Sequence, residues 1–263
     1  MNCRVISTYF GPRRNHGGRN KTILNCRDAI ALIKDAVKLE MEKSSGVKKD
    51  TIIVNHDFGN DEGNEYLNSI DGLKTLDGEI KILHRPFDKG IGGSFCSFNY
   101  AFEKFKDEYE YWHFNEDDYY LIHEGYFKLL IEQLERDPKV AYVCTYREDQ
   151  FIENGYISET GNNYKAHAHG GAGGTHVKFL NEAYNKFGRL PFSTVKMNDA
   201  MINSIKDGNL DAFDSSYARR WYREFELQGE IEFTNVYKHL GYELQNFDCD
   251  VPILYSVRDK MYY

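Results

Sequence analysis

Residues 111 to 120 have the sequence Tyr111-Trp112-His113-Phe114-Asn115-Glu116-Asp117-Asp118-Tyr119-Tyr120, in which three consecutive carboxylates directly follow a short aromatic run. The aromatic run predicts a buried strand, and in an open α/β sheet ligands bind at the carboxyl ends of the strands. Clustered carboxylates repel one another unless a cation or several hydrogen-bond donors offset the repulsion. Oxygen ligands suit Mg²⁺ or Mn²⁺, so the segment predicts a metal and phosphate site. The competing interpretation is a solvated acidic turn that caps the helix expected near His123.

The first half of the chain alternates between strand-like and helix-like patterns. This alternation predicts a mixed, mostly parallel sheet that is flanked by helices, the Rossmann-like α/β class. Short apolar runs predict the strands, at residues 5–9, 51–55, 80–84, 111–114 and 140–144. Apolar residues at helical spacing predict the intervening helices, near residues 29–41, 94–106 and 126–134.

The alternation stops near Arg147. Residues 147 to 176 are polar and rich in glycine, which predicts a long functional loop. Helical patterns follow near residues 177–187, 199–206 and 233–240. Because no proline-rich linker separates the halves, we expect one domain over residues 1–263. Its nucleotide-binding half would be residues 1–146, and its acceptor-binding half residues 147–263.

Composition excludes some classes of function. The formal charge of −8 argues against a nucleic-acid partner, which would require a basic surface for phosphate contacts. Five scattered cysteines without a Cys-x-x-Cys pair favour a reducing compartment. No apolar stretch has the length of a signal peptide or a transmembrane segment. We therefore expect a cytoplasmic protein.

The order of these features resembles a glycosyltransferase of the GT-A fold, similar to family 2. In that family the first strand ends in a Thr-Tyr-type loop, which corresponds to Thr8 and Tyr9 here. The second strand ends in an acidic residue that contacts the nucleoside, which corresponds to Asp57. The fourth strand ends in an Asp-x-Asp-like motif, which corresponds to residues 115–117, with Asn115 in place of the first Asp.

The resemblance implies a nucleotide-sugar donor, with UDP or GDP favoured, and Mn²⁺ or Mg²⁺ as cofactor. It assigns the metal to Asp117 and Asp118. It also implies that the donor contacts Arg85, Asp88, Gly90 and Glu116, in addition to Thr8, Tyr9 and Asp57.

An inverting glycosyl transfer also needs a general base near the acceptor hydroxyl. In the resembling family this acid opens a helix that ends at a Gly or Gly-Tyr. Two segments compete here, one with Glu230 and Glu232 before Gly241-Tyr242, and one that begins at Asp199. An ordinary helix-capping acid is the alternative for each.

The sequence thus predicts a metal-dependent, inverting glycosyltransferase that acts on a hydroxyl of a glycan. Two alternatives stay open. One is a nucleotidyltransferase, which would use a glycine-rich loop with a basic residue after the first strand, a pattern that residues 11–14, Gly-Pro-Arg-Arg, match in outline. The other is a catalytically silent sugar-binding or scaffold protein. A dinucleotide-dependent oxidoreductase is disfavoured because no Gly-x-Gly-x-x-Gly follows the first strand.

Overall fold

The computed structural model describes residues 1–11, 13–14, 23–24, 26–57, 59–86, 93–145, 171–190, 228–257 and 261–262. The strands of these residues are β1 (Asn2–Thr8), β2 (Arg13–Arg14), β3 (Ile23–Leu24), β4 (Lys49–Asp57), β5 (Ile80–Pro86), β6 (Tyr111–Glu116), β7 (Tyr119–Leu121), β8 (Val140–Cys144), β9 (Ala172–His176), β10 (Glu243–Asn246), β11 (Leu254–Ser256) and β12 (Met261–Tyr262). The helices are α1 (Cys26–Glu42), α2 (Asp61–Ile70), α3 (Gly93–Phe105), α4 (Tyr126–Arg136), α5 (Val177–Phe187) and α6 (Gln228–His239). None of the helices in these ranges is long and apolar enough to cross a membrane.

Seven strands form the main sheet, in the order β10-β8-β9-β6-β1-β4-β5. Strand β1 pairs in parallel with β4 and with β6, and β4 pairs in parallel with β5. Only β9 is antiparallel to its neighbours in this sheet. The last residues of β1, β4, β5 and β6 therefore lie along one edge of the sheet, which we call the carboxyl edge.

Alternation of side chains along β1 builds a core on each face of the sheet. Val5 lies in a cluster with Phe98 of α3, whereas Ile6 lies in a second cluster with Ile33 of α1 and Leu67 of α2. Helices α1 and α2 thus cover one face, and α3 covers the other. With both faces covered, all residues of β1 after Asn2 are buried.

The predicted fold class is confirmed, since the model has a mostly parallel sheet flanked by helices. The five predicted strands are β1, β4, β5, β6 and β8, and the predicted helices that fall on described residues are α1, α3, α4, α5 and α6. The helix expected near residues 199–206 lies outside the described residues.

The loop predicted over residues 147–176 is wrong at its end, where β9 enters the sheet between β6 and β8. Its glycines suggested a loop, but they are required by close packing. A Cβ added at Gly173 would lie 2.5 Å from the Tyr142 ring, and one at Gly174 would lie 2.8 Å from Leu130. Tertiary contact therefore outweighs the low strand propensity of glycine.

A buried charge cluster lies beneath the sheet near the start of β1 and β4. The Glu40 carboxylate of α1 accepts hydrogen bonds from Arg4 at 2.5 Å, from Thr51 at 2.9 Å and from Lys49. Arg4 and Lys49 are each 1% exposed, and Glu40 is 5% exposed. Burial alone would raise the pKa of Glu40, but Lys49 and Arg4 outweigh burial and lower this pKa from 4.5 to about 2.

Replacement of Glu40 by Gln should destabilise the protein by about 3–5 kcal/mol at pH 7, because two buried cations lose their counter-charge. Urea unfolding followed by circular dichroism measures the free energy of unfolding. The matched control is Glu42→Gln, on the same helix, whose exposed ion pair with Lys38 should contribute about 0–1 kcal/mol.

The Glu40 effect should also depend on pH. Because the pKa of Glu40 is lower in the folded state, its contribution is present above about pH 4.5 and is lost as the pH falls toward 2. The difference in unfolding free energy between wild type and Glu40→Gln should shrink over that range. A difference that is small at pH 7, or that does not change with pH, would contradict this role of Glu40.

Candidate functional site

The two central strands of the sheet bring Thr8 and Asp117 together at the carboxyl edge. Thr8 is the last residue of β1, and Asp117 directly follows β6, which pairs with β1 up to the Ser7 and Glu116 positions. The Thr8 hydroxyl donates a hydrogen bond of 2.7 Å to Oδ2 of Asp117. Both side chains are 2% exposed. The edge therefore holds a buried carboxylate in a fixed orientation.

Asn115 braces the turn that carries Asp117. Its Nδ2 donates to the backbone carbonyl of Tyr119 at 2.7 Å and to the carbonyl of Glu116. The C-terminal segment also holds this turn, since the Val257 N–H donates to the carbonyl of Asp118 at 2.9 Å. Asn115, where the resembling family has an acid, thus serves the backbone of the turn, and Asp117 is the buried carboxylate that the turn presents.

Glu116 and Asp118 are each partly exposed, unlike Asp117. The Glu116 carboxyl carbon packs so close to Gly171 that a Cβ there would lie 2.8 Å away. The Gly171 carbonyl also accepts a 2.9 Å hydrogen bond from the Glu116 N–H. Glu116 is therefore fixed beside the start of β9.

Asp57 at the end of β4 has a turn-forming role. Its Oδ1 accepts from the Gly59 N–H at 2.9 Å and from Nδ2 of Asn64 at 3.0 Å. Asn64 in turn accepts from Asn55, two residues before Asp57 on β4, at 2.7 Å. The predicted nucleoside contact is thus anchored by a chain of carboxamides that sequence inspection missed.

A second set of polar side chains lies at the ends of β4 and β5, on the opposite face of the sheet. His56 and Arg85 occupy paired positions on these strands and are 6% and 5% exposed. Burial and then the charge of Arg85 lower the pKa of His56 from 6.5 to about 3. The Tyr9 ring lies 5.8 Å from the His56 ring, tilted by 45°. At pH 7 this pair therefore offers a neutral imidazole beside a guanidinium cation.

Within the described ranges no three His, Cys, Asp or Glu side chains come together as a metal cluster. Mg²⁺ bound together with substrate phosphates uses only one or two protein carboxylates, the other ligands being phosphate oxygens and water. Asp117 fits this requirement, because it is a carboxylate held at a ligand-binding edge. The predicted role of Asp118 as a second ligand stays a prediction.

The remaining predicted site residues divide into two groups. Asp88, Gly90 and Asp199 lie outside the described residues, and for Glu230 only the backbone of α6 is described. Glu232 lies in α6 and is fully buried, next to Phe233, which packs 5.1 Å from Phe114 of β6. The Gly241-Tyr242 pair follows α6 as predicted.

Comparison with known proteins gives no match to any family model or to any curated protein. Among solved structures, the chain is similar to 4-diphosphocytidyl-2C-methyl-D-erythritol synthase from Anaerococcus prevotii, with 16% identity, coverage of 82% of this chain and 83% of that chain, and a TM-score of 0.38. It is also similar to CMP:2-keto-3-deoxy-manno-octonic acid synthetase complexed with CTP, with 10% identity, coverage of 95% of this chain and 90% of that chain, and a TM-score of 0.44.

These comparisons correct the prediction of a glycosyltransferase, which is wrong. The two similar structures are named as a diphosphocytidyl compound synthase and a CMP conjugate synthetase, and neither is named as a glycosyltransferase. The preference for UDP or GDP is likewise not supported. At 16% and 10% identity these names describe those two proteins, and the site of this chain must indicate its own chemistry.

Replacement of Thr8 by Val should destabilise the protein by about 1–3 kcal/mol at pH 7, because the buried Asp117 carboxylate loses a hydrogen-bond donor. Urea unfolding measures this change. Thr8→Ser, which keeps the hydroxyl, is the control and should retain most of the stability. Equal losses in the two variants would show that the hydroxyl does not stabilise Asp117.

Proposed function

We propose that the protein is a nucleotidyltransferase that uses Mg²⁺ or Mn²⁺ and transfers a nucleoside monophosphate to an oxygen of an acceptor. The observation that carries this proposal is the hydrogen bond from Thr8 to the buried Asp117 at the carboxyl edge. It supports a metal-binding carboxylate at the place in an open α/β sheet where nucleotides bind.

The segment after β1 supports a triphosphate substrate. Thr8 is followed by a tight bend in which the backbone of Gly11 lies against the side chain of Tyr9. A Cβ at Gly11 would be only 2.1 Å from the Tyr9 hydroxyl oxygen, so no larger residue fits this bend without rearrangement. Two arginines, Arg13 and Arg14, come directly afterwards as β2. A small residue and then cations after the first strand match the pattern expected of a phosphate-binding loop.

The proposed chemistry is displacement at the α-phosphorus of a nucleoside triphosphate. An acceptor oxygen forms a bond to this phosphorus, the bond from the phosphorus to the bridging oxygen of the β-phosphate breaks, and pyrophosphate leaves. The acceptor proton passes to a base or to solvent. A divalent ion held by Asp117, when bound, supplies Lewis-acid neutralisation of the phosphate charge. The chain itself positions Asp117 through Thr8 and the turn through Asn115.

The acceptor side is proposed to lie in the C-terminal half, residues 147–263. Among the acids of that half, Glu232 of α6 is kept as the candidate for proton transfer; it is fully buried, so it would act only if the bound acceptor comes within hydrogen-bond reach. Arg85, at the end of β5, is a buried cation at the same carboxyl edge, on the face opposite to Thr8 and Asn55.

Calorimetric titration of CTP, UTP, ATP and GTP into the protein with Mg²⁺ tests the proposal. At least one of these nucleotides should bind, and EDTA should weaken the binding at least tenfold. Asp117→Asn should cause a similar loss, since the neutral amide removes the negative charge that attracts the divalent ion. The matched control is Asp107→Asn, an exposed acid of the loop that precedes β6, at the opposite end of the sheet.

Release of pyrophosphate in the presence of candidate hydroxyl and carboxylate acceptors then tests catalysis. Absence of binding by all four nucleotides, or binding that Asp117→Asn leaves unchanged, would contradict the proposed function. Binding without pyrophosphate release from any acceptor would favour a catalytically silent nucleotide-binding protein.

A further inference from the structure

Asn55 lies within the proposed nucleotide site. It is paired with Thr8 across β1 and β4, and with His84 across β4 and β5. Because paired residues of neighbouring parallel strands point to the same face, Asn55 and Thr8 share the face on which Thr8 meets Asp117. The Asn55 side chain is 1% exposed.

The orientation of the Asn55 carboxamide is fixed by a carboxylate two residues away. Oδ1 of Asp57 can only accept, so the Asn64 atom that contacts it at 3.0 Å must be the donor Nδ2. Oδ1 of Asn64 then faces Asn55, which must present its own Nδ2 at 2.7 Å. The same Nδ2 lies 3.3 Å from Nδ1 of His84, whose Nε2 lies 3.0 Å from Oδ1 of Asn68. Both contacts are satisfied when Nδ1 of His84 accepts from Asn55 and its Nε2 donates to Asn68.

One hydrogen-bond acceptor of this network has no partner among the described residues. Both contacts of the Asn55 carboxamide use Nδ2, and its Oδ1 has no hydrogen-bond partner within the described part of the chain. A buried acceptor without a partner is destabilising, and native proteins usually supply a donor from the protein, from water or from a ligand. The β4 side of the site therefore contains an oriented, buried acceptor that none of the described residues satisfies.

We propose that Asn55 is a specificity residue of the nucleotide site, whose Oδ1 accepts a hydrogen bond from an N–H or O–H group of the nucleoside. This inference rests on the proposed function and adds which residue discriminates between nucleotides. The donor chemistry is shared by an exocyclic amine of the base and by a ribose hydroxyl. A site built around such a hydrogen bond rejects an analogue that lacks the donor, because the acceptor is then left buried and unpaired.

The experiment compares nucleotides that differ by one donor. The probes are CTP, UTP, ATP and GTP with Mg²⁺, together with the 2′-deoxy and 3′-deoxy forms of each, titrated by calorimetry. Wild-type protein should bind one donor-containing probe about 10- to 100-fold more tightly than its partner without that donor. Tighter binding of CTP than of UTP would indicate the exocyclic amine, and tighter binding of UTP would indicate the ring N3–H. Tighter binding of a ribo form than of its deoxy form would indicate the sugar hydroxyl.

Two variants separate recognition from structural support. Asn55→Ala should abolish the discrimination, so that both probes of the pair bind equally. Asn64→Ala is the matched control: it removes the donor to Asp57, but His84 still orients Asn55, so the discrimination should remain even if both affinities fall. If Asn55→Ala does not fold, as judged by circular dichroism, Asn55→Ser replaces it with the same expectation.

Three results would overturn the inference. In the first, the wild type does not distinguish the probes of any pair. In the second, the Asn55 variant still discriminates between them. In the third, discrimination is lost equally in the Asn55 and Asn64 variants. In each of these cases the proposed function still holds, provided that nucleotide binding depends on Mg²⁺ and is lost in Asp117→Asn. If no nucleotide binds to wild type, the proposed function fails, and the role of Asn55 fails with it.

Discussion

Pairing of β1 on both of its edges is the constraint on which the candidate site depends. Strand β1 lies between β4 and β6, and its register brings Thr8 level with Asn55 on one side and next to Asp117 on the other. A shift by one residue would turn every side chain of β1 to the opposite face. The buried pairing of Arg4 with Glu40 opposes such a shift, because a displaced guanidinium would leave two opposite charges apart in the core.

The two ends of β1 thus have different tasks. Near its start, the charges of Arg4, Lys49 and Glu40 neutralise one another and tie α1 to the sheet. At its end, the Asp117 carboxylate is held by the Thr8 hydroxyl and by a turn that Asn115 braces. Asp117 lies at the carboxyl ends of parallel strands, where open α/β sheets bind ligands, whereas Glu40 is already compensated by Arg4 and Lys49. This contrast supports placing ligand chemistry at the carboxyl edge and not at the charge cluster.

The sequence was sufficient for five strands of the main sheet, because buried strands such as β4 and β8 contain continuous apolar or β-branched runs that helix patterns separate. It was insufficient for β9, whose glycines are selected by Tyr142 and Leu130, residues distant in sequence. The order of acids at strand ends predicted the position of Asp117, but it could not show that Asn55 and Asn64 form a network, since only the fold brings these amides together. The activity was misassigned because carboxylates at this edge are compatible with both glycosyl and nucleotidyl transfer.

The most direct test of a metal-nucleotide site at the carboxyl edge is paramagnetic broadening of backbone amide signals by Mn²⁺ in the presence of nucleotide. A metal–nucleotide complex held at Asp117 should broaden the signals of Thr8, Asp57 and Asp117 strongly. It should broaden those of Cys3 and Tyr111 little, because these residues lie at the opposite ends of β1 and β6. This broadening should require the nucleotide and should disappear in Asp117→Asn. Broadening centred elsewhere in the molecule, or broadening that is the same without nucleotide, would contradict the account.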